Sequence, residues 1–468
     1  MRRWVIASCT LFLLAWTARF AWLRITVRPT PRPDYWEAKL AALDPPPPGA
    51  LSFAQIEPLL TSRPWETGAI LSALADFEVG SLLQGRWTLW RKDIAAGMLV
   101  FVTPEFLKAR QRLLEATAVG WHEPMNLTSP DFARLGACRM WGSWLLAHGR
   151  SAWIAGRPDV AFEDWMAVLR LARQARRGQT VISHAVESSL QAEVADELML
   201  ALQEGEGSLD SLQLADKMAE ILGPELTPRQ RLAGERIASQ CDLESVFVRR
   251  GRGWLDVSEM VRMRSASFGI WPPPAGGTSR VWNLASPLFH GFEEASQKME
   301  RLYTEAERCT HLSVCEAIQR RLAADPALKP GILDGQPDVG YGSLDTVLVG
   351  VSQMAYLART RLEAALAMHA LAAYQRDRGE YPETLGALVP SYLPALPIDY
   401  ADRAPLRYRR ADQRYVLYSI GPDGHDHNGV GDAVFDHHIL QGRDIVFSAI
   451  RREEPEPVYS GPGMLRKP

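Results

Sequence analysis

The stretch Gly421–His438, GPDGHDHNGVGDAVFDHH, gathers four of the chain's ten histidines with four aspartates and an asparagine. Two metal chemistries suit that mixture. Hard cations such as Ca2+ take roughly six to eight oxygens from carboxylates, amide oxygens and backbone carbonyls. Asp423, Asp426, Asn428 and Asp432 supply such oxygens, and Asp444 can close the shell from the segment that follows. Gly424, Gly429 and Gly431 permit the tight turns a wrapped cation needs. Softer ions prefer imidazole, and His425, His427, His437 and His438 offer a zinc or nickel site instead. No cysteine joins them, and their spacing differs from that of structural zinc modules. The frame is not an EF-hand, because it would open on Gly424 and has no glutamate at its closing position. A solvated turn that holds no ion stays open beside both metal readings.

Elsewhere, residues capable of chemistry do not form signatures. No Gly-rich phosphate loop, G-x-S-x-G elbow or H-E-x-x-H helix is present. His184 and Glu187 have the i, i+3 spacing of di-iron bundles, but no second such pair accompanies them, so His184 reads as a packed or surface histidine. Cys309 and Cys315 bracket His311 without a second pair to complete a zinc set, leaving helix positions or a local disulfide. A net charge of -3 gives no reason to expect a nucleic-acid partner.

The elements that must position the loop are clear. Ser343 can cap a long Ala-rich helix, with Gly379 where a helix-ending glycine belongs and Pro382 just beyond. Leu362, Leu366, His369 and Ala373 share one face of it, which makes His369 a buried, hydrogen-bonded core residue. A proline-bounded turn follows. LRYRR and YVLYSI then predict a hairpin around Ala411-Asp412-Gln413, and DIVFSAI a third strand after the loop.

This order resembles the C-terminal part of the major pseudopilins of type II secretion systems. The matching residues are Tyr374, Gly379, Tyr381, Pro382, Leu385, Leu396, Pro397, Asp399, Tyr418, Ser419, Gly421, Asp423, Gly424, Asp444 and Ile445. The departures are the Asp399-Tyr400-Ala401-Asp402 segment, a longer loop between Asp423 and Asp444, and the absence of the family's Gly-Phe-Thr-x-x-x-Glu junction. The resemblance implies a small α+β domain with structural Ca2+ in this loop, held in part by Asp423 and Asp444. Asp426, Asn428 and Asp432 come from donor chemistry alone.

Upstream, the pattern is helical from Leu51 onward, clearest over Phe132–Arg177. There two amphipathic segments join at Gly156-Arg157-Pro158 as a tetratricopeptide-type αα-hairpin, with small residues where helices touch. No copy recurs at a fixed period, so an irregular bundle is expected in place of a solenoid. The alternating charge from Phe292 to about Ala324 reads as a solvated face.

The amino terminus, with Trp4 to Ala18 free of charge and Arg19 able to snorkel, predicts a single membrane span with the bulk outside the cytoplasm, as in a bacterial inner-membrane protein. The expected organisation is an anchor over residues 1–24, a proline-rich linker over 25–50, a helical region over 51–335, a pseudopilin-like domain over 343–455 and a flexible tail over 456–468. The fold class is mostly α, an irregular helical region followed by that small α+β domain. The expected function is a membrane-anchored, non-enzymatic envelope scaffold with secretion or pilus-assembly partners. A metal-dependent hydrolase built on the His/Asp loop is the alternative.

Overall fold

The computed structural model describes residues 13–18, 33–43, 45, 48–62, 102–122, 132–177, 180–204, 209–224, 226–247, 292–310, 344–411, 414–421, 424–433 and 444–447. They form a mostly helical chain that ends in a small sheet. In order come α1 (Pro33–Ala41), β1 (Leu51–Ser52), α2 (Phe53–Leu60), α3 (Pro104–Val119), β2 (Trp121–His122), α4 (Phe132–Ile154) and α5 (Pro158–Arg176). Next are α6 (Val181–Glu204), α7 (Ser211–Leu222), α8 (Pro228–Phe247), α9 (Phe292–Thr310) and α10 (Leu344–Arg378). A 3-10 turn at Leu385–Leu388 leads to β3 (Arg407–Ala411), β4 (Arg414–Ser419), β5 (Gly431–Ala433) and β6 (Asp444–Val446).

The helix ends follow from local chemistry. Thr103 Oγ1 accepts from the Phe106 N–H at 3.1 Å, and Pro104 opens α3 with its ring pre-set for a helix. Asp210 Oδ1 likewise accepts from the Leu212 and Gln213 N–H groups at the start of α7.

Close packing requires glycine where α4 meets its neighbours. A Cβ at Gly149 would lie 2.7 Å from Trp165 Nε1, and one at Gly142 would lie 2.5 Å from Leu190 Cδ2. With the glycines in place, Trp141, Leu145, Trp165, Leu169, Leu190 and Leu198 interlock in a core that excludes water. Truncating one such leucine to alanine costs about 2–5 kcal/mol.

Helix α10 extends the same core. Its buried Ala364, Ala365, Ala367 and Ala370 let it lie close along α6, while Leu362, Leu366 and Leu371 fill the seam. The core is continuous from Ile56 through α10 to Leu417 and Phe447 of the sheet region. The sheet order is β3-β4-β6-β5. β3 and β4 form the antiparallel hairpin, and β6 adds antiparallel to β4 with Tyr418 opposite Val446. β5, not foreseen in the sequence, pairs parallel with β6, Gly431 opposite Asp444. The expected boundary between Asp325 and Ser343 lies outside the described residues.

One expectation is corrected. Among the described residues no helix is long and apolar enough to cross a membrane, against the single-pass inner-membrane reading. The helices with the length carry charge along them: Arg134, Arg139 and Arg150 in α4, and Arg359, Arg361 and Glu363 in α10. Of the segment expected to span, residues 13–18 are helical, and the rest of Trp4–Trp22 lies outside the described residues.

Candidate functional site

The loop after β4 rests on two buried aspartates, one on each side. Asp399, fully buried, faces the end of β4. Its Oδ1 accepts from the Ala401 N–H at 3.0 Å and the Ser419 hydroxyl at 2.8 Å, and its Oδ2 from the Ile420 N–H at 3.0 Å. Arg407 Nη1 approaches Oδ2 at 3.4 Å and is itself held by Asp402 at 3.0 Å. Ser419 Oγ then accepts from the Gly421 N–H at 3.1 Å, so the strand-to-loop corner is anchored through one side chain. Burial pushes the Asp399 carboxyl above the ordinary carboxylate range, against the pull of its donors at Ala401, Ser419 and Ile420.

On the other side stands Asp444, the first residue of β6 and buried. Its Oδ1 accepts from the His427 N–H at 3.1 Å and its Oδ2 from the Gly429 N–H at 2.7 Å. Between those donors the chain turns through Asn428 at φ 60 and Gly429 at φ 75. Asp426 Oδ1 closes that turn by accepting from the Asn428 N–H at 2.8 Å, and the Tyr418 hydroxyl donates to the same oxygen at 3.1 Å. Gly429 is required twice over, since a Cβ there would also lie 2.8 Å from Val416 Cγ1. Burial, then the bond to Asp426 and the charges of Asp426 and Asp444, push the Tyr418 hydroxyl up to about 12.

Of the expected ligands, Asp426, Asn428 and Asp444 therefore meet around one turn. Asp432 lies in β5 opposite Ile445, with its side chain outside what the structure describes, and Asp423 lies outside the described residues. So do His437 and His438. His425 is exposed, and His427 places Nδ1 3.5 Å from Asp444 Oδ1. Among the described residues no group of three or more His, Cys, Asp or Glu stands close enough to hold a metal ion. The donor chemistry nonetheless suits a hard cation. Asp426 Oδ2 makes no hydrogen bond among the described residues, and each Asp444 oxygen accepts one N–H and keeps a lone pair. Asp423 and Asp432 are the residues that would have to complete such a shell.

Sequence reasoning gave no role to the amides of His427 and Gly429 or to the Tyr418 hydroxyl. The Asp426-His427-Asn428-Gly429 order was the available signal, because Asp accepts from the second residue on and Asn-Gly tolerates positive φ. His369 is buried and hydrogen-bonded, as its place on an apolar face predicts: Nδ1 accepts from the Leu209 N–H at 3.2 Å and Nε2 donates to Leu198 O at 3.0 Å. Cys315 and His311 lie outside the described residues.

Comparisons with protein-family models, with curated proteins and with solved structures found no match for this chain.

Proposed function

We propose that this chain is a non-enzymatic interaction scaffold, a helical body that carries a pseudopilin-like unit on α10 and serves a secretion or pilus-type assembly. The observation that carries this reading is Asp444. Each of its carboxylate oxygens accepts one backbone amide and so ties the loop shut, which is a structural use of charge. A general base or an open metal site needs instead a carboxylate lone pair aimed at a space a substrate can enter. The ordered residues from Tyr374 to Ile445 support the pseudopilin-like assignment, and the helix followed by an antiparallel hairpin and a further strand agrees with it in outline. Ca2+ enters as a second tie on the same loop, with Asp423, Asp426, Asn428, Asp432 and Asp444 as its proposed ligands.

The test is thermal unfolding of the full chain with chelator, with Ca2+ and with Zn2+. Binding to the folded form alone adds RT ln(1 + [L]/Kd), about 2.7 kcal/mol at a hundredfold excess over Kd. Calcium should raise Tm, Asp423→Ala and Asp426→Ala should remove that rise, and His425→Ala should leave it intact. A response to zinc alone, lost in His425→Ala and His427→Ala, would replace this reading with a metal-dependent hydrolase.

A further inference from the structure

The seam between α5, α6, α8 and α10 gathers three buried or nearly buried arginines around one glutamate. Glu187 of α6 is 2% exposed and sits among Arg176, Arg231 and His184. Arg176 Nη1 approaches its Oε1 at 3.5 Å, Gln191 Nε2 donates to the same oxygen at 3.0 Å, and His184 Nδ1 meets Oε2 at 3.3 Å. Arg231 Nη1 stands 3.8 Å from Oε2, too far for a hydrogen bond. Arg359 of α10, 9% exposed, belongs to the same group: Glu187, Arg231 and Arg176 all act on its guanidinium electrostatically. Burial above all lowers its proton affinity, with Arg231 and Arg176 adding to it, and Glu187 and Tyr400 only partly offset this.

Glu187, held in its ionised form, thus stands 3.5 Å from Arg176 and 3.8 Å from Arg231 and also acts on Arg359 electrostatically. The nearby carboxylates are engaged elsewhere. Glu235, one turn beyond Arg231 in α8, accepts from the Val181 N–H at 3.0 Å, and burial raises its carboxyl above the ordinary range. Burial likewise raises Glu363 in α10, which is bonded to the Ile398 backbone, and Asp196 faces Arg361 at 3.5 Å. Among the described residues, the donors Nε and Nη1 of Arg231 and Nε and Nη2 of Arg359 are buried with no hydrogen-bond partner, and Nε2 of His184 is buried and unpartnered as well. A buried guanidinium left without an acceptor is strongly unfavourable, whereas its planar fork matches the oxygens of phosphate. Because Glu187 accepts from it, His184 carries a proton on Nδ1, and its unpartnered Nε2 can meet a further oxygen of the same group, accepting from P–OH or donating to P–O⁻.

We propose that Arg176, Arg231, Arg359 and His184 form a buried receptor for a phosphate-type oxyanion, either free phosphate or the terminal group of a small phosphomonoester. The site supplies the positive charge of the arginines and unspent N–H donors for the P–O oxygens, with His184 Nε2 for one further oxygen. It lies in the helical body and stands apart from the loop at Asp444.

Calorimetric and thermal-shift titration of the full chain with inorganic phosphate and with glycerol phosphate, at ionic strength fixed with NaCl, tests this. Binding at one site per chain with a rise in Tm is expected. A response to free phosphate assigns the ion itself, and a response to glycerol phosphate alone assigns the monoester. Arg359→Met and Arg231→Met should each weaken binding by at least about tenfold, the loss of a charge-assisted contact. Arg410→Met, whose guanidinium pairs with Glu380 and Glu383 at the surface, should bind as the parent does. In phosphate-free buffer Arg359→Met should raise Tm, because it removes an uncompensated charge, and in phosphate it should lower Tm relative to the parent. No heat and no shift with either ligand in the unaltered chain would overturn the proposal. So would an Arg359→Met destabilisation that is the same with and without phosphate.

Discussion

The helical body and the terminal sheet bury carboxylates in opposite ways. In the body, Asp164 is fully buried and takes Arg110 Nε on Oδ1 and His148 Nδ1 on Oδ2, each at 2.6 Å. Glu197 is held by Arg150, with Nε at 2.9 Å. In the sheet unit, Asp444 and Asp399 take mostly backbone N–H groups. The cause is supply. A helix spends its amides on its own carbonyls, so a carboxylate buried between helices, away from a helix start or a loop, finds side-chain donors. A loop leaves amides unpaired, and one carboxylate can satisfy several of them at once. Charge in the body therefore joins helix to helix, whereas charge in the sheet unit fixes the path of a single chain.

If that contrast holds, the largest effect belongs to Asp164→Ala, which strands Arg110 and His148 in the α3–α4–α5 contact. A loss of about 3–5 kcal/mol is expected in urea unfolding, with the whole chain affected. A loss below that of a surface substitution would end the distinction.

The next effect is on pH dependence and concerns His369, a neutral imidazole between α6 and α10. Its burial pulls its pKa down to about 4, while the Leu198 carbonyl it bonds raises it only partly. In the unfolded chain the value returns to about 6.5, so between these limits the unfolded state binds the extra proton. This contribution is complete above about pH 6.5 and falls as pH drops toward 4, by roughly 3 kcal/mol in all. Urea unfolding between those limits should show the slope, and His369→Gln should flatten it.

Third, Asp444→Ala should cost about 2–3 kcal/mol, two charge-assisted amide bonds in one residue. Unlike Asp164→Ala, it should act locally. Amide exchange should quicken at His427, Gly429 and the β5–β6 pairing while α4 and α5 keep their protection. The smallest effect is Gly429→Ala, about 1–2 kcal/mol for the positive φ, with the Val416 contact added if the strand cannot yield. Asn428→Gly should be close to neutral, because Asn428 occupies the same left-handed region without that contact.

Much of the architecture could be read from local pattern. Gly156-Arg157-Pro158 punctuates the α4–α5 hairpin, Gly379 ends α10, and the two runs around Ala411 pair as β3 and β4. β5 escaped because its three residues carry no alternation, and its parallel pairing with β6 is set by tertiary context. Half of the loop's chemistry was visible as acidic and amide side chains near Asp444. The other half was backbone amides, which no residue type advertises. The cluster around Glu187 was hidden for a different reason. Arg176, Arg231 and Arg359 sit in helices rich in charge, which reads as a solvent face until the partner helix is known. Helix α9 does expose Glu293, Gln297, Arg301 and Thr304, while its opposite face buries Met299 and Tyr303 and pairs Glu300 with Arg236 of α8.

Helix α10 has a mechanical consequence. Its 35 residues, at a rise of 1.5 Å each, make a rod about 52 Å long. Its last turns carry Tyr374 against Tyr392 near the sheet, and His369 pins its C-terminal half to Leu198 and Leu209. The pin acts as a fulcrum. A pull on the sheet therefore bears on Leu198 of α6 and on Leu209, just ahead of α7, through this one imidazole.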